Sequence, residues 1–212
     1  RKEVYMHSIL KERNITDLYH FTQADNLENI LKYGLLPRDC LVENAIDSEF
    51  NDDYRLDGCC DAICTSLEFP NYKMFYPLRE NNPNIDWAVV KLDANIICDM
   101  PCSFCWENAA SSSESSIPIN IRKTREAFLS LFDNKPGYPT RQQCGIPDYY
   151  PTNPQAEILV FSEIPIEYFK QICFKDVSTL MKYRDIVTND IPCRVNSDLF
   201  FGRRDWKFWQ EI

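Results

Sequence analysis

Residues 16–37 read TDLYHFTQADNLENILKYGLLP, and the order of patterns within them sets the fold class. Over TDLYHFT, Leu18, His20 and Thr22 alternate with Tyr19 and Phe21, the period-two signature of a strand. Directly afterwards Leu27, Ile30 and Leu31 take helical spacing, Gly34 supplies a C-terminal cap, and Pro37 bars continuation. Working outward, a short helix ending near Arg13 precedes this unit. AICTSLEF (62–69), WAVVKLDANII (87–97), EILVF (157–161) and a stretch near QICFKD (171–176) read as strands. Helices are expected from Tyr72 onward, over REAFLSLF (125–132) and around 177–184. The stretch from 38 to about 61, the SSSESS tract (111–116) and residues 133–154 read as loops. Several short strands with few crossover helices, no repeat and no linker give an α+β fold in one domain, 1–212.

The chain has 212 residues, 44% of them apolar, enough for a full core without disulfide or metal staples. A net charge of −9 disfavours indiscriminate adhesion to nucleic acid or anionic membrane, while leaving room for a local basic groove. No apolar run reaches the roughly 18 residues that a membrane helix needs. Charges scattered through RKEVYMHSILKERNITDL (1–18) replace the apolar stretch of a signal peptide, so a cytoplasmic protein is expected. With five glycines and neither GxGxxG nor GxxxxGK[ST], a Rossmann or P-loop phosphate cradle is not expected. Cys98, Cys102 and Cys105 spell CxxxCxxC, the spacing of cluster-binding radical enzymes, but no series of strand–helix units follows them. The ten cysteines therefore read as reduced, mostly apolar residues, and no metal is expected.

Three residues invite chemistry. His20 sits between two aromatics beside a helix start, either as a hydrogen-bonded core histidine or facing an anionic ligand. Arg55, in YRLDGC (54–59), is a lone cation within an acidic stretch. It is either one half of a surface pair worth about 0–1 kcal/mol or a planar clamp for phosphate or carboxylate. Glu157 stands at the head of the apolar run ILVF, and on a strand Gln155 would share its face. A dry core tolerates an ionised carboxylate poorly, so Glu157 lies either at a polar edge, paired with an arginine, or in a cleft.

Taken together, YHFTQADNLENILKYGLL (19–36), SLEFPNYKMFY (66–76), QAEILVF (155–161) and the closing RRDWKFW (203–209) resemble the DarT family of NAD-dependent DNA ADP-ribosyltransferases. The wording FPNYKMFY and FCWENAA is similar to its DarT1 branch. The resemblance implies an ADP-ribosyltransferase fold: a split mixed β-sheet core with flanking helices and an NAD cleft. It implies that His20, Phe21, Thr22 and Leu27 hold the adenosine side and ribose of NAD, while Tyr72, Met74 and Tyr76 wall the nicotinamide pocket. Gln155 and Glu157 match a glutamine-x-glutamate element in which Glu157 is catalytic, and Arg55 falls in the loop carrying a catalytic arginine. Residues 106–154 would meet the acceptor base. Arg122, Lys123 and Arg125, with Arg203, Arg204 and Lys207, are the basic clusters expected along a nucleic-acid backbone. The implied function is a toxin-type transfer of ADP-ribose from NAD, as co-substrate, to a base in single-stranded DNA, countered by a macrodomain antitoxin of the DarG type. The same transfer onto RNA or protein is one alternative. A catalytically silent module binding NAD or nucleic acid is the other.

Overall fold

The computed structural model describes residues 2–49, 61–187 and 190–210, with side chains from Met6 onward. Arg55 and the rest of YRLDGC lie outside the described residues. In chain order the elements are α1 (Lys2–Arg13), β1 (Asp17–Gln23), α2 (Leu27–Tyr33), α3 (Arg38–Glu43), β2 (Ile63–Leu67), α4 (Tyr72–Asn81) and β3 (Trp87–Asp93). There follow α5 (Ile96–Asp99), β4 (Cys102–Cys105), α6 (Ser112–Ser115), α7 (Ile119–Arg122), α8 (Arg125–Ser130) and α9 (Arg141–Cys144). The chain continues through β5 (Glu157–Val160), β6 (Phe169–Phe174), α10 (Val177–Tyr183) and β7 (Cys193–Val195). The strands form one mixed sheet in the order β4-β5-β2-β1-β3-β6-β7, with only β6 and β7 parallel. This is the expected α+β class.

One seam in that sheet positions the site. β1 pairs with β3 along its whole length, from Asp17↔Asp93 to Gln23↔Trp87. It meets β2 only at Leu18↔Leu67 and Tyr19↔Ser66, after which the two strands part. Alternation sends the apolar side chains of β3 to two different layers: Val90 and Leu92 pack with α1, α5 and α8, whereas Trp87 and Val89 pack with Phe75 of α4 and with Leu199 and Phe200. At the far end of α2, Gly34 takes φ +80° and a Cβ there would stand 2.5 Å from the Ile164 carbonyl oxygen, so only glycine fits. Leu35 and Ile164 exchange backbone hydrogen bonds of 3.0 and 2.8 Å, which pins the end of α2 beside the segment following β5.

Four expectations change. The strand beginning at Trp87 stops at Asp93, whose carboxylate accepts the Asn95 N–H at 2.8 Å and turns residues 96–99 into α5. SSSESS contains α6, because the Ser111 hydroxyl accepts the Glu114 N–H as an N-cap. The 38–61 and 133–154 loops carry α3 and α9, the latter begun by a Thr140–Gln143 capping box. β4 and β7 are strands that alternation did not announce, being four and three residues long.

Asp17 ties the long side of the sheet together. Its carboxylate lies 2.5 Å from Lys170 of β6 and 2.9 Å from Lys91 of β3. Burial pushes the carboxyl up, but the lysine donors outweigh it and hold the group below its ordinary value of 3.8. A depressed folded value means that the stabilisation is present above pH 3.8 and is lost as pH falls through the folded value. Asp17→Asn is therefore expected to cost about 1–3 kcal/mol at neutral pH. Urea denaturation should show the gap between variant and parent closing in strong acid; a pH-independent gap would contradict the assignment.

Candidate active site

The site forms where β1 leaves β2. His20 is the first residue beyond the last β1–β2 pair, and its Nδ1 lies 2.9 Å from the Cys64 carbonyl oxygen. A carbonyl only accepts, so Nδ1 carries a proton and donates to it. The imidazole thus ties two diverging strands. Glu157 opens β5 one residue before Ile158, which pairs with Thr65 of β2. Glu157 is 6% exposed, and its Oε2 accepts the Ala109 N–H at 2.8 Å. His20 and Glu157 line the same cleft, reached from opposite sides of β2.

Helix α2 and the chain after α3 close one wall. Asn26 Nδ2 donates to Thr22 Oγ1 at 3.0 Å and to the Glu49 carbonyl at 2.8 Å, while its Oδ1 accepts the Glu49 N–H at 2.8 Å. One turn on, Asn29 Nδ2 donates to the Asp47 carbonyl at 2.7 Å. These two amides strap residues 47–49 against the cleft, and Arg38 and Leu41 of α3 complete that wall. Phe21 stacks on Phe75 with centroids 4.5 Å apart and planes at 15°, and Met74 of α4 lines the adjoining surface.

The turn after β4 supplies the remaining wall. Glu114 is 2% exposed, and its carboxylate accepts the backbone N–H groups of Trp106, at 3.0 Å, and Glu107. Burial pushes its carboxyl up, opposed by Lys135 at 3.8 Å. The Glu107 carboxylate in turn accepts the Ser113 hydroxyl and the Tyr138 hydroxyl, the latter at 3.1 Å. Held at both ends, this turn presents Asn108 and Ala110 to the cleft and the Ala109 N–H to Glu157.

Of the residues singled out from sequence, His20, Phe21, Thr22, Met74 and Glu157 come together in the cleft. Others do not. Leu27 is fully buried with Ala24, Leu31 and Ala88, because it lies on the core face of α2. The Tyr72 hydroxyl is buried and pushed up by that burial and by the nearby Asp205 charge, which places it under the C-terminal segment. Tyr76 is exposed on the outer face of α4. Gln155 belongs to a turn in which its N–H is bonded to Asn153 Oδ1 at 2.9 Å; the strand begins only at Glu157, so strand periodicity does not put the two on one face.

The basic clusters divide in the same way. Arg122 is buried, its Nη1 donating to Cys105 Sγ at 3.4 Å, and Arg203 is buried against Asp205, so neither guanidinium is a surface contact. Lys123, Arg125, Arg204 and Lys207 are exposed. Cys102 and Cys105, three apart on β4, belong to different core layers, and burial pushes both thiols up to about 12. Sequence reasoning missed Asn26, Asn29, Arg38 and Glu114. The asparagines stand at i, i+3 beside the apolar stripe of α2, and Ser111-x-x-Glu114 is a helix-start pattern.

The mixed sheet with flanking helices, parting where His20 and Glu157 face one cleft, fits the ADP-ribosyltransferase fold that the sequence resemblance implies. The family model described as the ssDNA thymidine ADP-ribosyltransferase DarT matches residues 19–201. The chain belongs to the DarT family. Among solved structures, the chain is similar to Thermosipho africanus DarTG in complex with ADP-ribose, at 20% identity and TM-score 0.60, covering 87% of this chain and 51% of that one. It therefore spans about half the length of that relative. It is also similar to Thermus sp. 2.9 DarT in complex with NAD+, at 15% identity and TM-score 0.60, covering 88% and 98%. The Thermus sp. 2.9 DarT complex with ADP-ribosylated ssDNA matches at 14% identity and TM-score 0.57, covering 89% and 97%. At these identities the likeness is one of fold. No curated protein matches the chain.

Proposed function

We propose that this chain transfers ADP-ribose from NAD+ to a thymidine base in single-stranded DNA, releasing nicotinamide, and that it does so as the toxin of a toxin–antitoxin pair. The observation that carries this reading is Glu157, a buried carboxylate held by the Ala109 N–H across one cleft from a histidine anchored to the Cys64 carbonyl. The cleft suits a dinucleotide: Ile30, Leu35, Leu41 and Met74 offer apolar walls and Arg38 a cation for phosphate. NAD+ supplies a nicotinamide that departs neutral once its bond to ribose breaks. Glu157, accepting from the ribose 2′-hydroxyl, stabilises the positive charge that grows on the sugar, so its interaction is stronger in the transition state than in the ground state. His20, its ring oriented by the Nδ1 bond to the Cys64 carbonyl, positions a ribose hydroxyl. The Glu114-anchored turn keeps Glu157 from rotating away. In the same reading Arg55 serves as the catalytic arginine, Gln155 stands on the acceptor side, and Lys123 and Arg125 follow the strand's backbone.

A single domain over 1–212, a cytoplasmic setting and a macrodomain antitoxin of the DarG type complete the proposal. Among the described residues no helix is long and apolar enough to cross a membrane. The test incubates the protein with NAD+ and, separately, single-stranded DNA, RNA and bulk protein, and weighs each acceptor by mass spectrometry. Single-stranded DNA alone should gain ADP-ribose. A gain on RNA or protein alone would replace the acceptor, and NAD+ binding with no transfer would favour a silent binding module.

A further inference from the structure

The chain is acidic overall, yet its C-terminal segment alternates buried and exposed residues and leaves aromatics and cations interleaved in sequence at the surface. Arg203, Asp205 and Trp209 turn inward. Phe201, Trp206 and Phe208 remain 48%, 41% and 49% exposed, with Arg204 and Lys207 exposed between them. The Lys207 ammonium stands 5.9 Å from the centre of the Trp206 ring. Large exposed aromatics at this density mark an interaction surface on a soluble domain.

The inward residues fix this surface to the active site. Arg203 donates to the carbonyls of Pro151 and Thr152, at 2.8 and 3.0 Å, on the turn that leads into Glu157. Trp209 lies 6.2 Å from Tyr138, whose hydroxyl bonds Glu107 at the head of the turn presenting Asn108 and Ala110 to the cleft. Lys73, beside the cleft-lining Met74, donates to the Trp209 carbonyl at 2.7 Å. Three separate contacts thus tie the base of the segment to walls of the cleft.

We propose that residues 201–208 form a stacking platform for the flank of the single-stranded DNA whose base enters the cleft; this rests on the function proposed above. The interleaved cations decide the occupant. A polyanion with exposed π-faces finds both charge and ring partners here, and stacking on aromatics binds any sequence. A protein partner seated on the patch would use the rings and has less need of the cations.

Trp206 supplies its own probe, since Trp87, Trp106 and Trp209 are all buried. Without NAD+, a mixed-sequence strand of about 24 nucleotides should quench the Trp206 fluorescence and shield it from acrylamide, whereas one of about 5 should do so weakly. Trp206→Ala with Phe208→Ala should weaken long-strand binding roughly tenfold or more. The same pair should raise the long-strand KM for transfer in proportion, leaving kcat in place. Arg204→Glu with Lys207→Glu should reduce the salt dependence of long-strand binding. Equal losses on long and short strands, or a Trp206 left unquenched by DNA, would overturn the platform; so would a patch shielded by the antitoxin but never by DNA. Quenching by DNA that is never modified would instead keep the platform and remove the proposed activity.

Discussion

Glu157→Gln should leave a folded protein whose ADP-ribosyl transfer has fallen about 10³-fold, the scale of losing one preorganised electrostatic contact to a developing charge. The amide preserves the shape of the side chain and keeps an oxygen for the Ala109 N–H, now 2.8 Å from the carboxylate. What it removes is the negative charge opposite the ribose as the nicotinamide bond breaks. NAD+ affinity should change far less than turnover, because the charge matters chiefly in the transition state. Single-turnover transfer, NAD+ titration and a thermal melt of the same variant separate the three quantities. Turnover within tenfold of the parent, with the fold intact, would remove Glu157 from the chemistry. A matching fall in melting temperature would instead mark it as a structural carboxylate.

The strand–helix unit at 17–33 was legible because its apolar period switches from two to 3.6 within a few residues and ends at a glycine that nothing else can replace. Glu157 was legible for a related reason: a carboxylate at the head of a buried run contradicts its surroundings, and such contradictions gather at functional sites. Several elements of three or four residues escaped. CSFC of β4 is buried on both faces and shows no alternation, while the serine content of α6 reads as loop even though Ser111-x-x-Glu114 spells a helix start. The candidate residues that lie away from the cleft do so over faces rather than identities. Leu27 and Tyr76 sit in the right segments but point into the core and to solvent, and Gln155 lies two residues before its strand begins. Composition could not separate Arg203 from Arg204, adjacent arginines of which one is fully buried and the other exposed.

That contrast leads to the largest stability effect expected in the molecule. The Arg203 guanidinium donates through Nε and Nη2 to the two oxygens of Asp205, both at 2.6 Å, and Trp209 Nε1 adds a third donor to Asp205 at 3.0 Å. Both ionic side chains are buried, at 1% and 0% exposure. Arg203→Met fills similar space but strands the Asp205 charge and frees the carbonyls of Pro151 and Thr152. A loss of about 3–5 kcal/mol should follow, read as a lower urea midpoint with an unchanged slope. The charge-pair account makes a sharper demand on the double variant. Arg203→Met with Asp205→Leu removes both ions together, so it should be more stable than Arg203→Met alone, because an apolar pair replaces an ion pair at little cost whereas a lone buried charge does not. A double variant at the sum of the two single losses would show that the segment is held by packing instead. Transfer should fall in Arg203→Met even where the protein remains folded, since the released carbonyls belong to the turn that delivers Glu157 to the cleft.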